Sequence, residues 1–133
     1  MSRAKSADNA GAKSIAEFYE EGIDLFNQGR FFECHEAWED AWKRSAGGEK
    51  VFYQGIIQAA VAILHVQRGN LDGAARLRAK AGAKIDPLPA EHMGVALGEL
   101  RDQLAVFFDA ALAGGNTPLP PIPRLRRISR RQA

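Results

Sequence analysis

A chain of 133 residues, 46% hydrophobic and 26% charged, is long enough to bury one core, and its composition excludes a disordered or disulfide-stapled scaffold. Its one cysteine can form neither an internal disulfide nor a thiolate zinc cluster, and no apolar run reaches membrane-spanning length. The net charge of +2 divides into an acidic body, with ten Lys/Arg and fifteen Asp/Glu from Ser14 to Pro123, and a basic end carrying Arg124, Arg126, Arg127, Arg130 and Arg131.

Residues 1–13 are small and polar with no apolar h-region, so a frayed tail is expected and not a signal peptide. With the lone cysteine, this points to a cytosolic protein. Ser14-Ile15-Ala16-Glu17 is a capping box that opens a first helix, and Gly29 supplies its left-handed stop. A second helix runs from about Phe31 to Arg44 and ends at Ala46-Gly47-Gly48. The third spans about Lys50 to Arg68 and is apolar almost all round, which makes it the central helix. Asn70 caps a fourth, which must end before Pro87 and Pro89. The fifth begins near Glu91 and carries Met93, Leu97, Leu100, Leu104 and Phe107 on one face, with His92 exposed in its first turn.

Strand periodicity is missing, so the fold class is all-α: a compact bundle of about five antiparallel helices filling residues 14–117. Residues 118–133 form an extended Pro/Arg-rich tail, with Leu119 and Ile122 expected to pack onto the bundle. No aromatic residues are interleaved with its arginines as stacking platforms. Nucleic acid is therefore not an expected partner, and the tail is expected in solvent or against its own acidic body. Gly29-Arg30-Phe31 and Gly69-Asn70-Leu71, forty residues apart, suggest a repeated helical hairpin of tetratricopeptide-like form.

Turning each residue by about 100° puts Phe31, Cys34, Trp38, Ala41 and Trp42 on one face of the second helix, with His35 among them. Glu39 borders that face one turn on, and Glu36 lies further round on the same side. The third helix keeps one polar stripe, Gln54, Gln58 and His65. A buried amide or imidazole without a partner costs about 1 to 3 kcal/mol. These groups must therefore meet one another, water or a ligand.

Three readings of this cluster stay open. It is a structural hydrogen-bond network; or His35, Glu39 and His65 hold a divalent metal; or His35, Glu36 and Glu39 act as acid and base on a small polar ligand bound by Trp38, Trp42, Gln54 and Gln58. The working expectation is a metal or small polar ligand site, with hydrolysis as one activity it would allow. The alternative is a non-catalytic helical protein-interaction module. A homodimer through helix five or exposed aromatics is compatible with either.

The run FNQGRFFECHEAWEDAW, followed by YQGIIQAAVAILHVQRGNLDGAARL, resembles the domain-of-unknown-function 309 family of small helical prokaryotic proteins over roughly Ile23 to Leu77. The resemblance places Glu33, His35, Glu36, Trp38, Glu39, Trp42, Gln54, Gly55, Gln58, His65, Gly69, Asn70, Gly73 and Ala74 at the family's motif positions. It implies an all-helical fold and brings no agreed activity.

Overall fold

The computed structural model describes residues 12–116 and 118–128. Five helices account for most of them: α1 (Ile15–Asn27), α2 (Phe31–Arg44), α3 (Gly47–Gln67), α4 (Leu71–Ile85) and α5 (Leu97–Ala113). A small hairpin of β1 (Glu91–His92) and β2 (Val95–Ala96) lies between the last two. The first four helices pack consecutively, most closely α3 against α4 and α1 against α2, and α3 is central, burying Phe52, Ile56, Ala59, Ala60 and Ile63 among others. Among the described residues, no helix is long and apolar enough to cross a membrane.

Local chemistry sets the helix ends. The Ser14 hydroxyl accepts the Glu17 N–H at 3.1 Å, and the Glu17 carboxylate accepts the Ser14 N–H at 2.7 Å, closing the capping box. At the other end of α1 the Gly29 N–H donates to Phe26 and the Arg30 N–H to Leu25, a Schellman turn with Gly29 at φ 78°. The turn after α3 repeats it forty residues on. There the Gly69 N–H donates to Val66 and the Asn70 N–H to His65, with Gly69 at φ 79°. The following caps, Arg30 (φ −94°, ψ 74°) and Asn70 (φ −93°, ψ 79°), share one backbone conformation. The likeness ends with these two hairpins. α4 leads into the β-hairpin, and among the described residues no third helical hairpin stacks on the first two.

The two caps differ in their side chains. Asn70 Oδ1 accepts the Gly73 N–H at 3.0 Å, whereas the Arg30 side chain caps nothing. Asn70→Ala is expected to cost about 0.5 to 2 kcal/mol, while Arg30→Ala, an exposed change, should stay within about 0.5 kcal/mol. Urea unfolding of both variants checks this, and equal losses would contradict it.

Two boundaries depart from the sequence reading. The α2–α3 turn is Ser45-Ala46, with both residues extended, so Gly47 and Gly48 belong to α3 and do not separate the helices. The fifth helix begins at Leu97, because Glu91 pairs with Ala96 and His92 with Val95 around Met93 (φ 50°) and Gly94 (φ 77°). His92 is accordingly half-buried and not exposed, its ring set edge-on to Phe52 at 5.0 Å. The Met93 carbonyl accepts the Tyr19 hydroxyl at 2.8 Å, which fastens the hairpin to α1.

The C-terminal segment is part of the bundle. The Ala96 N–H donates to Arg126 O at 2.9 Å and the Ile128 N–H to Gly94 O at 2.8 Å, so residues 126–128 run beside β2 as an added edge. Asn27 brackets the main chain of Leu125, accepting its N–H at 2.7 Å and donating to its carbonyl at 2.9 Å. Gln103 does the same for Arg124, at 2.8 and 3.0 Å. Leu125 is fully buried, while Leu119 and Ile122, expected from the sequence to pack onto the bundle, are 47% and 37% exposed. Arg126 pairs with Glu99, and Arg127 with Glu20 and Asp24, so both lie against acidic groups of the body. Arg130 and Arg131 lie outside the described residues.

Candidate functional site

The polar groups singled out by the sequence sit along the α2–α3 hairpin, whose short turn forces the helices antiparallel. α2 turns Phe31, Cys34, Trp38 and Ala41 inward. His35 stays on the border of that face, with Nε2 3.2 Å from Glu39 Oε2 and side chains 26% and 44% exposed. Further along, Glu39, Trp42, Gln54, Ile57 and Gln58 line a cleft of about 160 Å³ between the two helices. The Trp42 ring forms one wall and carries the Lys50 ammonium over it, 4.5 Å from its centroid. Trp42 Nε1 is shut off from solvent and has no hydrogen-bond partner; among the described residues it is the one buried side-chain nitrogen or oxygen in that state. Gln58 reaches the other way as well, its Oε1 accepting from Lys84 Nζ of α4 at 2.9 Å.

The other candidates lie elsewhere. Trp38 is fully buried core: it stacks on Phe26 at 5.6 Å and donates its indole N–H to the Tyr19 carbonyl at 3.1 Å, so it offers no wall to a ligand. Glu36 is not on the side of His35 and Glu39. It lines a separate groove of about 420 Å³ between α1 and α2, with Glu33, Asp40 and Phe18. His65 sits at the far end of α3, where its Nδ1 is 3.3 Å from Asn70 Nδ2. Because Asn70 Oδ1 already accepts from Gly73, the amide presents its NH₂ to the ring, and Nδ1 acts as the acceptor.

His35 on α2 and His65 on α3 do not stand at one level of the hairpin. At about 1.5 Å per residue, His35 stands about 14 Å back from the end of α2 and His65 about 27 Å along α3, an offset of about 13 Å. Among the described residues no three His, Cys, Asp or Glu side chains are grouped to hold a metal ion, so His35, Glu39 and His65 do not form the expected triad. Cys34 adds no nucleophile: it is buried, and burial pushes its thiol well above the usual range, leaving it protonated.

Lys50, Ile57 and Lys84 belong to the site's surroundings and escaped the sequence reading. Ile57 is a neighbour of Gln58 on an apolar helix and had no polar signal. Lys84 reaches Gln58 because α4 lies against α3 at Gly55, where an added Cβ would come within 2.6 Å of Ile85 and 3.0 Å of Lys84. That approach would be legible only from knowing which helices touch.

Fold and cleft together define a predominantly α-helical chain in which Glu39, Trp42, Gln54 and Gln58 gather along one helical hairpin. Residues 19–77 match the family described as Domain of unknown function (DUF309). His35, Glu39, Trp42, Gln54, Gln58 and His65 all fall inside the match, while Lys84 and the C-terminal segment fall outside. The chain is 44% identical over 66 residues to the "Uncharacterized protein YpuF" of Bacillus subtilis (strain 168), covering 49% of this chain and 36% of that one. It is 32% identical over 95 residues to an uncharacterized protein of Aquifex aeolicus (strain VF5), covering 71% of this chain and 28% of the relative. The aligned region thus spans about a third of the length of these relatives.

Proposed function

We propose that this chain binds a small polar ligand in the α2–α3 cleft. The observation that supports it best is Trp42: a donor closed off without a partner costs about 1 to 3 kcal/mol, and its side chain walls a cleft bordered by one carboxylate and two carboxamides. A ligand or water acceptor that draws the indole N–H round would recover that cost. At ~30 Å³ per water, 160 Å³ holds about five waters. This is below the ~300 to 1,000 Å³ of sites for drug-sized molecules, so the ligand is small. The proposal is binding and not hydrolysis, because among the described residues the cleft lining adds no nucleophile or further acid/base group to Glu39 and its neighbour His35.

A second reading rests on Gln58 and His35, which already have protein partners in Lys84 and Glu39. These are the bonds of a structural network within a helical interaction module. One experiment separates the two. The indole N–H resonances of Trp38 and Trp42 are followed while acetamide, acetate and glycine are added. Binding predicts a saturable shift of Trp42 and none of Trp38, with the side-chain amides of Gln54 and Gln58 shifting in parallel and ceasing to do so in Trp42→Phe. A network predicts that no probe moves either resonance. Without ligand, Trp42→Phe removes an unpaired donor and is expected to leave stability unchanged or raise it by about 1 kcal/mol. A loss above that in urea unfolding would mean that the indole N–H is satisfied in solution.

A further inference from the structure

The bond from Lys84 fixes how the cleft reads its ligand. Lys84 Nζ can only donate, so Gln58 must turn Oε1 towards it, which leaves the Gln58 NH₂ for other partners. Two cationic groups stand beside lining residues, Lys84 at Gln58 and Lys50 over the Trp42 ring. Glu39 is the one carboxylate in the lining, and its Oε2 lies 3.2 Å from His35 Nε2. The cleft of about 160 Å³ therefore has a carboxylate and N–H donors in its lining, with an ammonium group beside Gln58 and another over the Trp42 ring.

From these charges we infer that the ligand is a small zwitterion of the α-amino acid class, its carboxylate accepting from the Gln58 NH₂ near Lys84 and its ammonium facing Glu39. Opposite charges on one small molecule match opposite charges on the walls. A simple carboxylate meets Glu39 unfavourably, and a simple amine meets the two lysines unfavourably. Gln54, which both donates and accepts, suits either end.

The inference rests on the cleft being a ligand site, and its test keeps the two apart. Glycine, alanine and serine are titrated against acetate and methylamine, with the Trp42 indole and the side-chain amides of Gln54 and Gln58 observed. The expected result is that at least one amino acid binds ten-fold or more tighter than both single-charge probes. Glu39→Gln should weaken the amino acid about ten-fold while leaving acetate unchanged or slightly tighter. Lys84→Met, which frees the Gln58 amide to turn, should weaken both amino acid and acetate. Both side chains are partly exposed, and unchanged helical circular dichroism confirms that the variants fold. If acetate or methylamine binds as tightly as every amino acid, the zwitterion inference falls and the polar-ligand reading stands. If no probe moves Trp42, both fall.

Discussion

Trp38→Ala is expected to lower the unfolding free energy by about 3 to 5 kcal/mol, the range for truncating a buried Trp or Phe. Domains of this kind hold about 5 to 15 kcal/mol in total, so the variant loses a large share of its stability. The indole is fully buried, stacked on Phe26, and lies directly over Gly22 of α1. A Cβ at Gly22 would stand 2.1 to 2.7 Å from the ring, so the two helices meet through that missing side chain. Removing the indole opens a cavity at the centre of the α1–α2 contact, and the backbones there cannot collapse into it without disturbing the Phe26–Phe31 edge contact at 5.1 Å. Urea unfolding followed by far-ultraviolet circular dichroism measures the loss. A change under about 1 kcal/mol, as for an exposed residue, would contradict the placement of Trp38 in the core.

Leu125→Ala is the second large effect, expected at about 2 to 5 kcal/mol if the C-terminal segment is docked as described. The ion pairs of Arg126 and Arg127 are exposed, and pairs of that sort contribute about 0 to 1 kcal/mol each. The buried leucine and the two bracketing amides, Asn27 and Gln103, should therefore hold the segment. Raising salt should change its docking little. A solvated tail predicts the opposite pattern: Leu125→Ala neutral, and attachment governed by ionic strength. Protection of the Ala96 and Ile128 amides from hydrogen exchange reads the docking directly, since both donate across this contact.

Which parts of this molecule can be read from its residues depends on the range of the interactions that set them. The capping box at Ser14, the stops at Gly29 and Gly69 and the inward face of α2 are decided within one or two turns, and a helical wheel finds them. The β-hairpin is not readable in that way, because Met93 sits where Asn, Asp or Gly is usual and its left-handed conformation is held by tertiary contacts such as that to Tyr19. The same holds for the choice of Leu125 over Leu119 and Ile122 as the buried residue. All three follow prolines at similar spacing, and only the sites offered by Asn27 and Gln103 distinguish them. For the site, the wheel gave the correct face for Glu39, Trp42, Gln54 and Gln58. It carries no axial coordinate, which is why His65 looked like a neighbour of His35 while lying well beyond it; Glu36, about 100° round from His35, falls in the groove that α1 borders, which the wheel of α2 alone does not show.

The bracket that Asn27 throws around Leu125 joins positions 98 apart in sequence. The α1–α2 and α3–α4 hairpins need only short loops and can form early, but this contact waits until all four helices between its two residues have been made. During synthesis the early hairpins must therefore persist with the Asn27 side of α1 uncovered until Leu125 has emerged to seal it.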